Sequence, residues 1–236
     1  THIAMKAIEL AAGRGSRMRP LSDACPKPLL EVHGRPLIVW HLEALAAAGV
    51  REIVVNTAWL EERLIAALGD GSRWGVSIVW SKEGRDHGGA LETAGGIAKA
   101  LPWLGDMFWI VSADVYAPDF RFSASTVERF AISGRDAKLW LVPNPGFHPK
   151  GDFGLDAEGL GLAEGSGPDG QRWTYANIAL ARASMFTHII AGTHAPLAPL
   201  LYAGMRARRI SAEIYRGRWE NVGTPEQLAA LNAAPA

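Results

Sequence analysis

Residues 11–28 read Ala-Ala-Gly-Arg-Gly-Ser-Arg-Met-Arg-Pro-Leu-Ser-Asp-Ala-Cys-Pro-Lys-Pro. Gly13 and Gly15 allow a tight turn that brings backbone N–H groups close to an anion. Arg14, Arg17, Arg19 and Lys27 crowd into the same short stretch. Arginine meets phosphate oxygens as a planar fork and lysine as a point charge, so the set suits a polyphosphate. Two better-known glycine loops do not fit. A dinucleotide fingerprint needs a third glycine where Met18 stands, and the P-loop string G-x-x-x-x-G-K-[ST] is absent.

A second candidate is Asp114, which follows the apolar run Trp109-Ile110-Val111-Ser112-Ala113. Transfer between phosphates needs positioning and cations more than proton transfer. Mg²⁺ needs few protein oxygens, because phosphates and water complete its shell. Asp114 therefore suits Mg²⁺, although a helix-capping Asp reads the same way locally. Thr224-Pro225 is the expected start of a last helix. Cys25 has no evident His partner and reads as a small loop residue, and His87 reads as a solvated loop side chain.

These residues need elements to hold them. Met5–Ala12 reads as a first buried strand, with short strands at Glu52–Asn56, Val76–Trp80 and Phe108–Val111. Helices from Pro36 to Gly49, over Trp59–Leu68 and over Gly95–Leu101 alternate with them. The alternation predicts an α/β fold with a doubly wound, mainly parallel sheet, in which ligands bind beyond the carboxyl ends of the strands. Gly13 and Asp114 both follow strands. After Phe130 the pattern changes. Strands at Lys138–Val142 and Tyr175–Leu180 flank a Gly/Pro/Asp-rich stretch, and short antiparallel strands forming a small lobe are expected there. Ala195–Arg208 reads as helix, Arg209–Tyr215 as strand and Thr224–Leu231 as a closing helix. The division is one domain over 5–232, with a first part to about 130 and a second part, with the closing helix, from about 131.

At 236 residues and 48% hydrophobic, the chain can bury a substantial core. Lys+Arg and Asp+Glu balance at 24 each, which argues against nucleic acid as a partner. One cysteine excludes an internal disulfide and fits a reducing, cytoplasmic location. No apolar run reaches the ~18 residues that span a bilayer, so no membrane partner is expected. Met5 is the expected natural start, after an extraneous Thr1–Ala4. A monomer or weak homodimer is expected.

The string G-x-G-x-R-M-R-P-L…P-K-P-L resembles the signature of the sugar-1-phosphate nucleotidyltransferases. These join a nucleoside triphosphate to a sugar 1-phosphate and release pyrophosphate. L-A-A-A-G-V, N-T-A-W-L, G-D-G-S-R-W-G, L-E-T-A-G-G-I, K-G-D-F and Y-R-G-R-W-E-N-V-G-T extend the resemblance from Met5 to about Leu231. It implies a Rossmann-like nucleotidyltransferase fold and Mg²⁺ as cofactor. It points most closely to the branch that transfers a uridylyl group from UTP to N-acetylmuramate 1-phosphate in peptidoglycan recycling.

By resemblance, Arg17 and Lys27 act on the phosphates. Ala11, Ala12, Gly13, Gly15, Glu83 and Gly95 complete the nucleotide site, and Gly84–Ala90 forms a mobile flap. Asp114, Gly151 and Asn177 touch the sugar, while Asp114 and Asn221 hold the metal. Asn221 stands where the family carries Asp, Ala113 where it usually carries Gly, and the family's Glu-Lys-Pro is missing. Glu9 is a further departure: a carboxylate on a buried strand needs a partner, expected to be an Arg of the loop. A mannose-1-phosphate guanylyltransferase shares much of the pattern, and a non-catalytic nucleotide-sugar sensor is the rival of another class.

Overall fold

A computed structural model describes residues 3–236. Thr1 and His2, part of the stretch expected to precede a natural start, lie outside the described residues. The main sheet contains β1 (Lys6–Leu10), β2 (Glu52–Thr57), β3 (Ser77–Lys82), β4 (Met107–Ser112), β5 (Ala137–Val142), β6 (Thr174–Arg182) and β7 (Ile210–Ile214). Their spatial order is β7-β5-β6-β4-β1-β2-β3, and β6 alone runs antiparallel to its neighbours.

Both faces of the central strands are buried, and alternate residues serve opposite layers. On β1, Ala7 joins one apolar cluster and Ile8 the other; on β4, Trp109 and Val111 face one side, Phe108 and Ile110 the other. The first cluster is closed by α1 (Leu37–Ala47), α2 (Glu61–Leu68) and, after the next helix in the chain, α4 (Ala124–Ser133). The second is closed by α3 (Glu92–Ala100) and α5 (Ala198–Arg206). Fully buried side chains such as Ile8, Leu42 and Ile53 contribute about 1.5–3 kcal/mol each. The last helix, α6 (Pro225–Ala233), begins with a capping box. Gln227 N–H donates to Thr224 Oγ1 at 3.2 Å, and Thr224 N–H donates to Gln227 Oε1 at 3.1 Å. The expected Thr224-Pro225 start is therefore present.

The short antiparallel strands expected in the Gly/Pro/Asp-rich stretch are present as Gly154–Leu155 against Gly161–Leu162, but the region after residue 130 forms no separate lobe. Its three strands extend the main sheet as β5, β6 and β7. Antiparallel pairing there involves β6, the two-residue ribbon Gly154–Leu155 with Gly161–Leu162, the bridges Phe153–Trp173 and Leu160–Ser211, and Glu220–Asn221 against Val115–Tyr116. The apolar alternation of β5 and β6 reflects burial in a shared sheet, which a local reading cannot separate from a small lobe. Nor is Gly84–Ala90 an open flap. It starts as a helical turn, Glu83–His87, whose Gly84 and Arg85 N–H groups donate to Glu61 at 3.2 and 3.0 Å.

Glu9 finds a different partner from the one expected. It is fully buried on β1, and its Oε1 lies 2.7 Å from Nδ1 of His41, on α1, not from any loop arginine. Burial alone would lower the His41 pKa; the Glu9 carboxylate beside it outweighs this and holds it above the ordinary value.

Candidate functional site

The carboxyl ends of β1, β2 and β4 open into one cavity of about 810 Å³, reached by Leu10, Asn56 and Ser112. At its floor the loop after β1 presents Ala12, Gly13 and Arg17. Gly15, at φ 68°, precedes the 3₁₀ turn Ser16–Met18 and stands behind the cavity wall, where a Cβ would come within 3.3 Å of Ser22. Met18, in the place of the absent third glycine, is fully buried with Tyr116, Val222 and Leu228. That anchor turns Arg17 toward the cavity, its guanidinium beside Gly223.

The four cations of the loop do not act together. Arg14 stacks on Trp59 at 3.7 Å and pairs with Asp23 at 2.7 Å, and Arg19 also pairs with Asp23, at 3.4 Å. Arg17 and Lys27 are left for the site. Lys27 lies between Pro26 and Pro28 in a 3₁₀ turn, is buried, and places Nζ 3.3 Å from Oδ2 of Asp114. Burial pushes the nearby Cys25 thiol pKa up, which fits an inert loop residue rather than a nucleophile.

Asp114 and Asn221, 107 positions apart, both line the cavity. Ala113 N–H donates to Leu10 O at 3.1 Å and carries the β1–β4 ladder one step further. Val115–Tyr116 then pairs antiparallel with Glu220–Asn221, Val115 opposite Asn221, and Val222 N–H donates to Asp114 O at 3.0 Å. One half-exposed carboxylate and one amide oxygen form a hard donor set, which suits Mg²⁺ sharing its shell with phosphate and water. Among the described residues there is no group of three or more His, Cys, Asp or Glu side chains placed to hold a metal ion by themselves.

The wall beyond β2 carries Asn56, Glu83, Ala90, Glu92 and Thr93. Glu83 is fully buried. Its Oε1 accepts Leu91 N–H at 2.9 Å, while Oε2 has no hydrogen-bond partner among the described residues. Burial pushes its pKa above the ordinary carboxyl value. Two residues expected in the nucleotide site, Ala11 and Gly95, do not line the cavity, and their N–H groups are taken. Ala11 N–H is bound by Asn56 Oδ1 at 2.6 Å, and Gly95 N–H by Ala195 O at 3.0 Å. The α3 glycines instead permit close packing: a Cβ on Gly95 would meet Thr193 O at 2.4 Å, and one on Gly96 would meet Asn56 Nδ2 at 2.8 Å and Glu83 Oε2 at 2.9 Å.

The third wall comes from the insertion between β5 and β6 and from the start of α5. Asn177 lines the cavity at φ 59°, within the register shift of β6. Gly151 does not line it. At φ 65° it turns the chain so that Asp152 and Phe153 do. Asp152 accepts Tyr175 N–H at 2.8 Å through Oδ2, and its Oδ1 lies 2.8 Å from His148 Nε2. Leu197, Leu201, Tyr202 and Trp219 supply apolar surface. Sequence reasoning missed Asn56, His148 and the Pro196–Tyr202 segment. Asn56 had a signal, an amide at the carboxyl end of a strand; the others had none.

The profile described as "Nucleotidyl transferase" matches residues 6–155. The chain is 48% identical over 231 residues to an N-acetylmuramate alpha-1-phosphate uridylyltransferase of Neisseria meningitidis serogroup B, covering 97% of each. It is 34% identical over 243 residues to the protein of the same description from Caulobacter vibrioides, covering 96% of this chain and 95% of that one. A solved structure from Bacillus anthracis, described as a glucose-1-phosphate thymidylyltransferase, superposes with TM-score 0.79 at 20% identity over 98% of this chain and 94% of that one. At that identity it speaks to the fold.

Proposed function

The chain belongs to the nucleotidyl transferase family, and from that premise we propose that it transfers the uridylyl group of UTP to N-acetylmuramate α-1-phosphate, giving the UDP-sugar and pyrophosphate. The observation that carries the proposal is full-length identity of 48% to a uridylyltransferase of that specificity. The cavity geometry supports it, because Arg17 and Asp114 line the cavity at the ends of the strands where such a ligand would lie, and the buried Lys27 stands 3.3 Å from Asp114.

An oxygen of the sugar phosphate attacks the α-phosphorus of UTP. That P–O bond forms, the α–β bridging bond breaks, and pyrophosphate leaves with the bonding pair. The attacking oxygen is already anionic, so no general base is needed. Arg17, preset by the buried Met18, would grip the triphosphate, and Lys27 would neutralise charge that grows in the transition state. Asp114 and Asn221 would hold Mg²⁺, which supplies positive charge to the phosphate oxygens. Glu83, at the cavity wall, would accept the N3–H of uracil, with the backbone from Ala90 to Thr93 alongside. Asn177 and the Asp152–Tyr175 corner would meet the sugar. A role in peptidoglycan recycling, in the cytoplasm where UTP is made, follows from these substrates. No described helix is long and apolar enough to cross a membrane.

The test is pyrophosphate release from four nucleoside triphosphates against a panel of sugar 1-phosphates. UTP with N-acetylmuramate 1-phosphate should give the highest kcat/KM, and only with Mg²⁺ or Mn²⁺. A preference for GTP with mannose 1-phosphate would select a guanylyltransferase. Nucleotide binding without turnover would make the chain a sensor.

A further inference from the structure

Glu9 and His41 are buried charged or polar residues to which the reaction above gives no part. Glu9 stands on the central strand β1, paired in register with Val55 on one side and Val111 on the other. Its Oε2 has no hydrogen-bond partner among the described residues. Burying a carboxylate costs several kcal/mol that pairing only partly returns, and apolar replacement of such pairs is often neutral or stabilising. Stability alone is therefore a poor reason for an ionisable side chain in this strand.

What the pair does hold is visible at the other ring nitrogen. His41 Nε2 lies 2.6 Å from the carbonyl oxygen of Val115. A carbonyl can only accept, so Nε2 carries a proton and donates it. Nδ1, 2.7 Å from Glu9 Oε1, fixes the ring in that orientation. Val115 follows Asp114 and pairs with Asn221. The ribbon carrying both candidate metal donors has two residues in each strand, too few to hold itself in place. It is tied to the rigid sheet by the path Glu9–His41–Val115 and by Ala113 N–H on Leu10 O on the Asp114 side, and by Trp219 Nε1–H on Ala176 O beside Glu220.

We propose that His41, oriented by Glu9, is a positioning residue that sets the height and angle of the Asp114/Asn221 ribbon for metal-bound nucleotide. The proposal rests on the assignment of Asp114 and Asn221 as metal donors. Groups that orient metal ligands from behind typically influence affinity or activity by about 10–100-fold.

The experiment uses the full chain with Glu9 and His41 both replaced by leucine, which removes the pair without stranding a charge. The expected result is a thermal midpoint no lower than wild type, about tenfold weaker Mn²⁺ binding in the presence of UTP by electron paramagnetic resonance, and about tenfold lower kcat. In the metal-free protein, amide exchange at Val222 should quicken, because its N–H is held by Asp114 O. A folded double variant with wild-type Mn²⁺ affinity and wild-type exchange at Val222 overturns the proposal. Should the double variant fail to fold, His41→Gln and His41→Asn decide. Glutamine can place a donor where Nε2 lies and should retain Mn²⁺ affinity, whereas asparagine falls short and should lose it; equal affinities overturn the proposal. Absence of Mn²⁺–UTP binding in the wild type would defeat the metal assignment itself, and this inference with it. Wild-type binding with unchanged variants would defeat this inference alone.

Discussion

Arg14 and Arg17 stand three positions apart and have opposite fates. Arg14 is held by Trp59 and Asp23, outside the cavity, while Arg17 is turned into it by Met18. Arg17→Ala and Lys27→Ala should each lower turnover about 10²–10³-fold, the usual effect of removing one donor aimed at transition-state charge. Circular dichroism should show the fold retained, since Asp114, the partner Lys27 leaves behind, is half exposed. Near-normal turnover in either variant would place the phosphates elsewhere. The metal donors are separable by charge. Asp114→Asn should nearly abolish activity, whereas Asn221→Asp should lower the Mg²⁺ concentration for half-maximal rate and Asn221→Ala should raise it. An Mg²⁺ titration unchanged by Asn221→Asp would leave that residue a ribbon element only.

At the level of elements, α3 is unusual in carrying two interior glycines that propensity disfavours. Their explanation is distance. Gly95 lets the helix approach Thr193 and Ala195, and Gly96 lets it approach Asn56 and Glu83. Gly95→Ala should destabilise the fold by roughly 1–3 kcal/mol, the usual cost of overpacking, readable as a lower midpoint in urea unfolding. A neutral effect would mean that the Thr193–Ala195 segment yields freely. This helix also marks where sequence legibility stops. Its existence, the strand–helix alternation and the Thr224-Pro225 start are local properties, so residue order reveals them. The glycines were readable as special but not for what, because Ala195 is a hundred positions away. Arg14 looked equivalent to Arg17 because spacing does not say which way a loop side chain points. Residue order pointed Glu9 to a nearby loop arginine because His41 lies on another element. β5 to β7 resembled a lobe because pairing partners are not written in a strand's own pattern.

Across the whole molecule, one sheet runs under every wall of the cavity. Unfolding should therefore be a single cooperative transition by both fluorescence and calorimetry. UTP with Mg²⁺ should move it as a unit, by about 2.7 kcal/mol at a hundredfold excess over Kd. A separate transition for the region after residue 130 would count against one domain. The double bracket between Leu91, Gly95 and Ala195 reaches further. Gly95 N–H donates to Ala195 O at 3.0 Å, and Ala195 N–H donates to Leu91 O at 3.1 Å. The backbone from Leu91 to Gly95, beside the proposed base position, is thus bolted to the segment that leads directly into the apolar wall at Pro196 and Leu197, on the proposed sugar side. Base choice and sugar choice are not interchangeable parts in such a design. A loop transplanted to read another nucleobase would shift the floor under the sugar as well, so the two preferences must be re-engineered, and would have diverged, together.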